Sequence, residues 1–387
     1  MRPQILLIFD LQYEDCVLML KGIANYERSH GPWASFLDDE MKAETDARWL
    51  ANKRWDGIIS RHTTPALVSR CTEMKIPLVD LNDVPAYPGV PKIRPDNVTV
   101  GHLGAEHLIE RGFTNLAFCG FKADGWSCER RDGFIEAAKL AGQKVELLDV
   151  NYPGDVDPFW DEQQLQELTT WLRHLPKPVG VMACNDLRAQ QVINAAHQVN
   201  LLVPEEIAVL GANNDLMRCE LVYPNLSSVA TNSTRSGYLA AETLDRLMKG
   251  YSPESYDVRI DPLEVVARQS TDLFAIKDRT MAAALAFIRE NACKGISVEQ
   301  VVQHSAASRS LLEKKFRESL GLSPHAVIRK MQVTKIKQLL YETDYPLKKI
   351  ADLTGFEHVE YMCVLFKRAV GKSPGEYRKR HQAQTRN

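Results

Sequence analysis

The chain has 387 residues, of which 44% are hydrophobic and 25% charged, with a formal net charge of −2, and that length predicts two or three globular domains. Its first apolar run, Ile5 to Phe9, stops at Asp10, too short for a signal-sequence core or a membrane span, which predicts a cytoplasmic protein. Eight cysteines are scattered without a C-x-x-C pair, which argues against a zinc site and a disulfide framework.

Strand and helix signals alternate along the first 268 residues. Residues 5–9 (ILLIF) read as a strand, 16–27 as a helix, 57–60 (GIIS) and 76–81 (IPLVDL) as strands, and 98–110 as a helix. A second series follows: strand 116–121, helix 129–140, strand 145–150, helix 162–172, strand 179–184, helix 187–199, strand 207–212 and helix 233–248. Strands separated by helices predict parallel sheets covered on both faces, and two series predict two lobes. Ligands of such sheets bind beyond the carboxyl ends of the strands. The polar residues there are Asp10, Trp126, Arg130, Asn185 and Asn213, our candidates for a ligand site. A flat indole beside an arginine and carboxamides suits a monosaccharide, whose ring presents C–H faces and paired hydroxyls. Structural alternatives stand beside these roles: Trp126 as a core residue, Arg130 in an ion pair with Asp132, and Asp186 as the N-cap of its helix. No metal-ligand set, cofactor motif or catalytic nucleophile emerges, so an enzyme is not expected.

Charge divides unevenly. Met1–Leu273 carries 27 Lys and Arg against 39 Asp and Glu, and Phe274–Asn387 carries 21 against 11. A basic third behind an acidic body predicts a polyanion partner. That third is helical from Met281 onward, with Leu285, Ile288 and Cys293 on the apolar face of its first helix. Val298, Val301 and Val302 then recur at helical spacing before a break at Ala306 and Ala307. Ser308 reads as an N-cap, and Leu312 and Phe316 form the buried face of the helix it starts. Downstream, Ile350, Ala351 and Leu353 form a short helix ended by Gly355, and FKRAVGKSPG repeats the pattern of FRESLGLSPH fifty residues after it. The shared F-x-x-x-x-G-x-S-P ends a helix on glycine and starts the next with Ser-Pro. Two helix-turn-helix units are therefore expected, at 298–317 and 347–367, held apart by a long helix over 324–341. The exposed sides of their second helices make Arg309, Ser310 and Lys314, and His358, Glu360 and Cys363, the candidate base readers of double-stranded DNA. Lys348, Lys349, Lys367 and Arg368 are the candidate phosphate contacts. Gly371, Lys372 and Ser373 end like a phosphate-binding loop, but Phe366 stands where that motif needs glycine and no strand precedes it.

The segments 351–361 (ADLTGFEHVEY) and 366–378 (FKRAVGKSPGEYR) resemble the signature of the AraC/XylS class of DNA-binding domain. Ala306, Met362 and Val364 depart from its usual glycine, phenylalanine and basic residue. P-D-N-x-x-x-G at 95–101, residues 107–120 (HLIERGFTNLAFCG), R-x-x-G-F at 130–134, C-N-D at 184–186 and 203–214 (VPEEIAVLGANN) resemble the LacI/GalR sensor, itself similar to periplasmic sugar-binding proteins. That resemblance implies a sugar-binding role for Arg130 and Asn185, and places Asn213 where the family usually has an aspartate. A sensor of this kind before an AraC-type reader is similar to the activators of xylose operons, as are 126–130 (WSCER) and 287–301 (FIRENACKGISVEQV). The implied architecture is a two-lobed α/β sensor over 1–268, a linker over 269–278, and an all-α DNA-binding domain over 279–387 with both helix-turn-helix units. The implied function is a transcription regulator that activates a pentose operon. Its expected partners are operator DNA, a sugar such as D-xylose, RNA polymerase and a second copy in a homodimer, with no cofactor and no membrane. A repressor with the same modules, a sensor of another sugar, a transport component and a sugar-modifying enzyme remain the alternatives.

Overall fold

The structure, a computed structural model, describes residues 2–39, 50, 53–83, 86–151, 162–272, 278–343 and 345–385. It divides into two compact units, Met1–Leu273 and Phe274–Asn387. Among the described residues no helix is long and apolar enough to cross a membrane.

The first unit starts with β1 (Gln4–Ile8), α1 (Glu14–His30), β2 (Ala34–Asp38), β3 (Gly57–Ser60), α2 (Pro65–Met74), β4 (Leu78–Asp80) and β5 (Lys92–Pro95). The chain then crosses into α3 (Asn97–Glu110), β6 (Asn115–Phe121), α4 (Gly125–Leu140), β7 (Val145–Val150), α5 (Glu162–His174), β8 (Val179–Ala183), α6 (Asp186–Gln198), β9 (Ile207–Ala212), α7 (Leu216–Leu221) and β10 (Ser227–Val229). It returns through α8 (Ser233–Met248) to β11 (Asp257–Ile260) on the edge of the first sheet, and crosses again to β12 (Val265–Val266) on the edge of the second. The strand orders, β11-β5-β4-β3-β1-β2 and β12-β10-β9-β8-β6-β7, follow one plan, and every pair is parallel except β10 with β12. The two expected parallel-sheet lobes are present. Apolar runs such as ILLI are unbroken because both sheet faces are covered: Ile5, Leu7 and Ile59 pack with Ile23 of α1 and Leu244 of α8, while Leu6, Ile8 and Ile58 pack with Leu67 of α2.

The lobes also share a helix crossing. A Cβ on Gly101 of α3 would lie 2.1 Å from the Arg130 carbonyl oxygen of α4, and one on Gly133 of α4 would lie 2.2 Å from the Val98 carbonyl oxygen. In the other lobe, a Cβ on Gly22 of α1 would lie 2.0 Å from the Thr234 carbonyl oxygen, and one on Gly237 of α8 would lie 1.9 Å from that of Met19. Each glycine pair sits at the same register of its helices, the fifth residue of α3 and α8 and the ninth of α1 and α4. Backbones meet there, so the helices after the first and second crossings are seated without side chains between them.

The first unit closes with a 3-10 turn, Gln269–Thr271. This turn, expected as the start of the linker, is packed into the first unit instead: Ser270 and Thr271 are fully buried, and the Ser270 hydroxyl donates to the Val209 carbonyl of β9 at 2.6 Å. Residues 273–277 of the expected linker lie outside the described residues. The Thr271 hydroxyl donates to Ser227 Oγ at 2.7 Å and so accepts from His107 Nε2 at 2.8 Å, which leaves His107 Nδ1 to accept from Arg111 at 3.0 Å. Burial, with Arg111 beside the ring, pushes the His107 pKa down to about 3. An unfolded histidine takes up its proton below about pH 6.5, so this residue's contribution to stability is complete above that value and is lost as the pH falls toward the folded pKa. We expect the melting temperature to fall between about pH 7 and about pH 5, and that slope to flatten in His107→Gln, which keeps a donor and an acceptor. Parallel slopes by calorimetry would remove His107 as the cause.

The second unit comprises α9 (Arg279–Asn291), α10 (Val298–Ser305), α11 (Arg309–Leu320), α12 (Pro324–Glu342), α13 (Leu347–Leu353), α14 (Val359–Val370) and α15 (Pro374–Thr385). Asp278 caps α9 through the Met281 N–H at 3.0 Å and pairs with Lys315. Cys293 falls in a 3-10 turn after α9 rather than on that helix. Ser297 and Gln300 close a capping box on α10, and Ser308, as expected, accepts from Leu311 N–H to start α11. Gly321 and Gly371, with φ of 66° and 78°, end α11 and α14 in the left-handed conformation. Ala306, in place of glycine, holds φ 51° between α10 and α11. Gly355, with φ 75°, has no room for a side chain, since its Cβ would lie 2.4 Å from Gly295 N. Gln332 of α12, nearly fully buried, donates to both the Ala292 and Thr354 carbonyls at 3.0 and 2.9 Å, fastening the second turn to the one that precedes the first.

Candidate ligand cleft and nucleic-acid interface

In each sheet the strand order reverses beside its first strand, between β1 and β3 and between β6 and β8, and a ligand is expected beyond these carboxyl ends. Arg130 is the centre of the second-lobe half. Its Nε donates to Asn97 Oδ1 at 2.9 Å, Nη1 to the Cys184 carbonyl at 2.6 Å and Nη2 to Asn213 Oδ1 at 2.9 Å. The guanidinium carbon lies 5.2 Å from the Trp126 ring, so three of the expected site residues form one cluster. Burial lowers the pKa of the Arg130 guanidinium, and the carboxylates of Asp83 and Asp15, which belong to the first lobe, oppose that shift. Arg130 is not paired with Asp132; its neighbour Arg131 takes Asp132 at 2.9 Å and Asp149 at 2.7 Å. Helix α4 begins at Gly125 rather than at residue 129, which puts Trp126 in the first turn and Arg130 one turn further on the same face.

Asn185, not Asp186, caps α6: its Oδ1 accepts from the Arg188 N–H at 2.8 Å. Asp186 is buried behind it, accepting from Ser228 Oγ at 2.6 Å and from the Asp215 N–H at 2.7 Å. Burial raises its pKa to about 7 against those two hydrogen bonds. On the first lobe, Asp10 is half-buried and accepts from the Gln12 N–H at 2.8 Å, shaping the loop into α1. The sequence-based candidates missed the rest of that rim. Arg61, directly after β3, donates to Asn82 at 3.1 Å and lies 3.6 Å from Asp15 and 3.8 Å from Asp83. The rule that found Asp10, polar residues just after a strand, finds Arg61, Asn82 and Asp83 once applied to β3 and β4. Among the described residues no group of three His, Cys, Asp or Glu is placed to hold a metal ion.

In the helical unit, α11 and α14 are both 12 residues long and start fifty residues apart. Their burial patterns agree at every position but the first: Leu312 and Phe316 in one and Met362 and Phe366 in the other are fully buried. Burying each Phe contributes roughly 2–3 kcal/mol and turns the opposite face outward. On α11 that face carries Arg309, Ser310 and Lys314, all exposed. Arg309 is held by Glu299 at 2.6 Å and Glu313 at 3.1 Å, and Lys314 lies 3.8 Å from Glu318. His358, at the start of α14, and Glu360 are exposed; Cys363 is half-buried against the cluster of Met362 and Phe366. The outward positions at its level are Tyr361 and Val364, 50% and 67% exposed. Cys363 faces the core because it stands one residue after Met362 on a helix anchored by Met362 and Phe366. Lys348 and Lys349 on α13 and Lys367 and Arg368 in the last turn of α14 are all exposed.

Comparison with known proteins gives two domain matches, a periplasmic binding protein-like domain over residues 105–271 and a helix-turn-helix domain over residues 301–380. The xylose operon regulatory protein of Haemophilus influenzae is 32% identical over 370 residues, 93% of this chain and 94% of that protein. The xylose operon regulatory protein of Escherichia coli K12 is 30% identical over 390 residues, 97% of each chain. The solved structure of a xylose-binding transcription activator, 29% identical, superposes with a TM-score of 0.81 over 98% of both chains.

Proposed function

The chain belongs to the family of the xylose operon regulatory proteins, and from that premise we propose that it is a sugar-responsive activator of a pentose operon whose effector is D-xylose. It is a helix-turn-helix transcription regulator, not an enzyme. One observation carries the reading most directly: two reading helices of equal length and matching burial, on a unit with an excess of Lys and Arg, in one chain with a cleft built around Arg130, Trp126 and Asn213. Arg309, Ser310 and Lys314 read bases from α11, and His358 and Glu360 from α14. Lys348, Lys349, Lys367 and Arg368 hold phosphates. Asp10, Trp126, Arg130, Asn185 and Asn213 hold the sugar, with Arg61, Asn82 and Asp83 on the opposing rim. The protein works in the cytoplasm as a homodimer that contacts RNA polymerase.

If D-xylose tightens operator binding tenfold, it must bind the DNA-competent state about 1.4 kcal/mol better, and operator must tighten sugar equally. Titrating D-xylose, L-arabinose and D-ribose with and without operator tests this, and equal sugar affinities in both series would reject it. Transcription from the target promoter should rise with sugar; a fall would make the protein a repressor. In the reader, Arg309→Ala should cost about 1–3 kcal/mol at one base position, whereas Lys349→Ala should weaken all sequences alike and reduce the salt slope by about one. Uniform losses in both variants, measured by fluorescence anisotropy across single-base operator variants, would refute the division into readers and phosphate contacts.

A further inference from the structure

A chain of polar contacts leads from the cleft to the end of the sensor. Asn213 and Asn214, consecutive after β9, both hold positive φ, 102° and 57°. Such a conformation costs a non-glycine residue about 1–3 kcal/mol and persists only where neighbours enforce it. From the cleft side Arg130 donates to Asn213 Oδ1 at 2.9 Å. From the other side Arg268 donates to Asn214 Oδ1 at 2.8 Å, and the Asn214 N–H donates to Ser228 Oγ at 2.9 Å. Ser228 in turn donates to Asp186, the buried carboxyl next to Asn185.

Arg268 carries the contact onward. Its backbone N–H donates to Ser227 Oγ at 2.8 Å and its carbonyl accepts from the same hydroxyl at 3.0 Å. Ser227 Oγ also accepts from Thr271, which is closed on its far side by His107 and whose carbonyl accepts from Arg111 Nε at 2.9 Å. Between Arg130 and Thr271 every link is therefore a direct hydrogen bond or a peptide bond, and Thr271 stands two residues before the sensor unit ends at Leu273. The Arg268 guanidinium is held by neutral acceptors, Asn214 Oδ1 and the Leu226 carbonyl, and among the described residues it has no ion pair with a carboxylate. Neutral acceptors hold a guanidinium less tightly than carboxylates do, so this link can be exchanged at low cost.

We propose that the Asn213–Asn214 elbow and Arg268 form the coupling element of the protein, through which occupancy of the cleft at Arg130 sets how Thr271 and the sensor's carboxyl end are held. The coupling element rests on the reading of sugar-linked DNA binding given above. A hydrogen bond gained or lost by Asn213 on sugar binding changes what enforces the strained elbow. Asn214 transmits that change to Arg268, and Ser227 passes it to the turn from which the chain continues to its DNA-binding unit. Asn213 meets the ligand at the cleft end, whereas Arg268 and Thr271 stand outside both the sugar and the DNA contacts, so the signature of changing these two is loss of linkage with both affinities retained.

The test uses full-length protein, D-xylose, and a duplex selected by this protein from a random-sequence library. Sugar affinity is measured by calorimetry and duplex affinity by anisotropy, each with and without the other ligand. Arg268→Gln and Thr271→Val are expected to bind sugar alone and duplex alone within about threefold of the parent, while the coupling factor falls toward one. Thr271→Val, which removes one hydroxyl at constant shape, decides the matter if Arg268→Gln does not fold. Parent-like coupling in the folded variants overturns the proposal, as does loss of sugar binding by Arg268→Gln, which would place Arg268 in the ligand site. A coupling factor of one in the parent protein is a different failure: it removes the sugar-linked reading itself, and the element with it.

Discussion

Arg130→Ala should abolish the sugar response and also lower stability by about 3 kcal/mol or more. Sequence alone offers the side chain to a ligand or to an ion pair with Asp132; the structure adds a part in holding the fold. Arg130 is 2% exposed and satisfies three protein acceptors, Asn97 Oδ1, the Cys184 carbonyl and Asn213 Oδ1. Removing the guanidinium strands these acceptors in the interior, at about 1–3 kcal/mol each before water or rearrangement compensates. Loss of a charged donor to a sugar hydroxyl adds a fall of about a hundredfold in sugar affinity. Arg131→Ala is the matched control. Its partners Asp132 and Asp149 lie outside the cluster, so sugar affinity should hold and stability should change by about 1 kcal/mol. Calorimetric melting and sugar titration of both variants separate the outcomes, and an Arg130→Ala protein that titrates D-xylose like the parent would end its assignment to the cleft.

The second large effect comes from a residue without a side chain. Gly101→Ala should cost about 3 kcal/mol or more, although alanine is the better helix former by about 1 kcal/mol. The added Cβ would lie 2.1 Å from the Arg130 carbonyl oxygen and 2.7 Å from the Phe134 N–H nitrogen. These are backbone atoms of α4, which cannot turn aside as a side chain can, so α3 and α4 must separate. Separation moves the helix that carries Trp126 and Arg130, so sugar affinity should fall together with melting temperature. Gly125→Ala, on the same helix α4, meets nothing within 4 Å and should stay within about 0.5 kcal/mol of the parent. A melting temperature for Gly101→Ala equal to that of Gly125→Ala would disprove the backbone-to-backbone crossing.

Much of this molecule was legible in its sequence, and where it was, the signal was local. The apolar runs of β1, β3, β6, β8 and β9 are continuous because their sheets are covered on both faces, and α8 was bounded correctly, at Ser233 and Met248. The repeat of F-x-x-x-x-G-x-S-P placed both reading helices, because each phenylalanine, glycine and Ser-Pro acts within its own few residues. Elements without such signals were missed. β2, β10, β11 and β12 are edge strands or short strands, and the sequences ASFLD, SSV, DVRI and VV lack a period that marks them.

Sequence by itself determined the two-lobed α/β sensor, the paired reading helices and the polar residues that follow the strands, since each depends on patterning over a handful of neighbours. Tertiary structure alone decided which of those polar residues meet. Arg130 joins Asn97 and Asn213, 33 and 83 positions away in the chain, and Thr271 joins Ser227 and His107, 44 and 164 positions away. It also decided that Asn185 rather than Asp186 caps α6, that Cys363 turns toward the core, and that glycines 101 and 133 matter for space rather than for flexibility. The physical reason is the same in each case: a hydrogen bond or a clash is fixed by distance in space, and separation along the chain does not encode it.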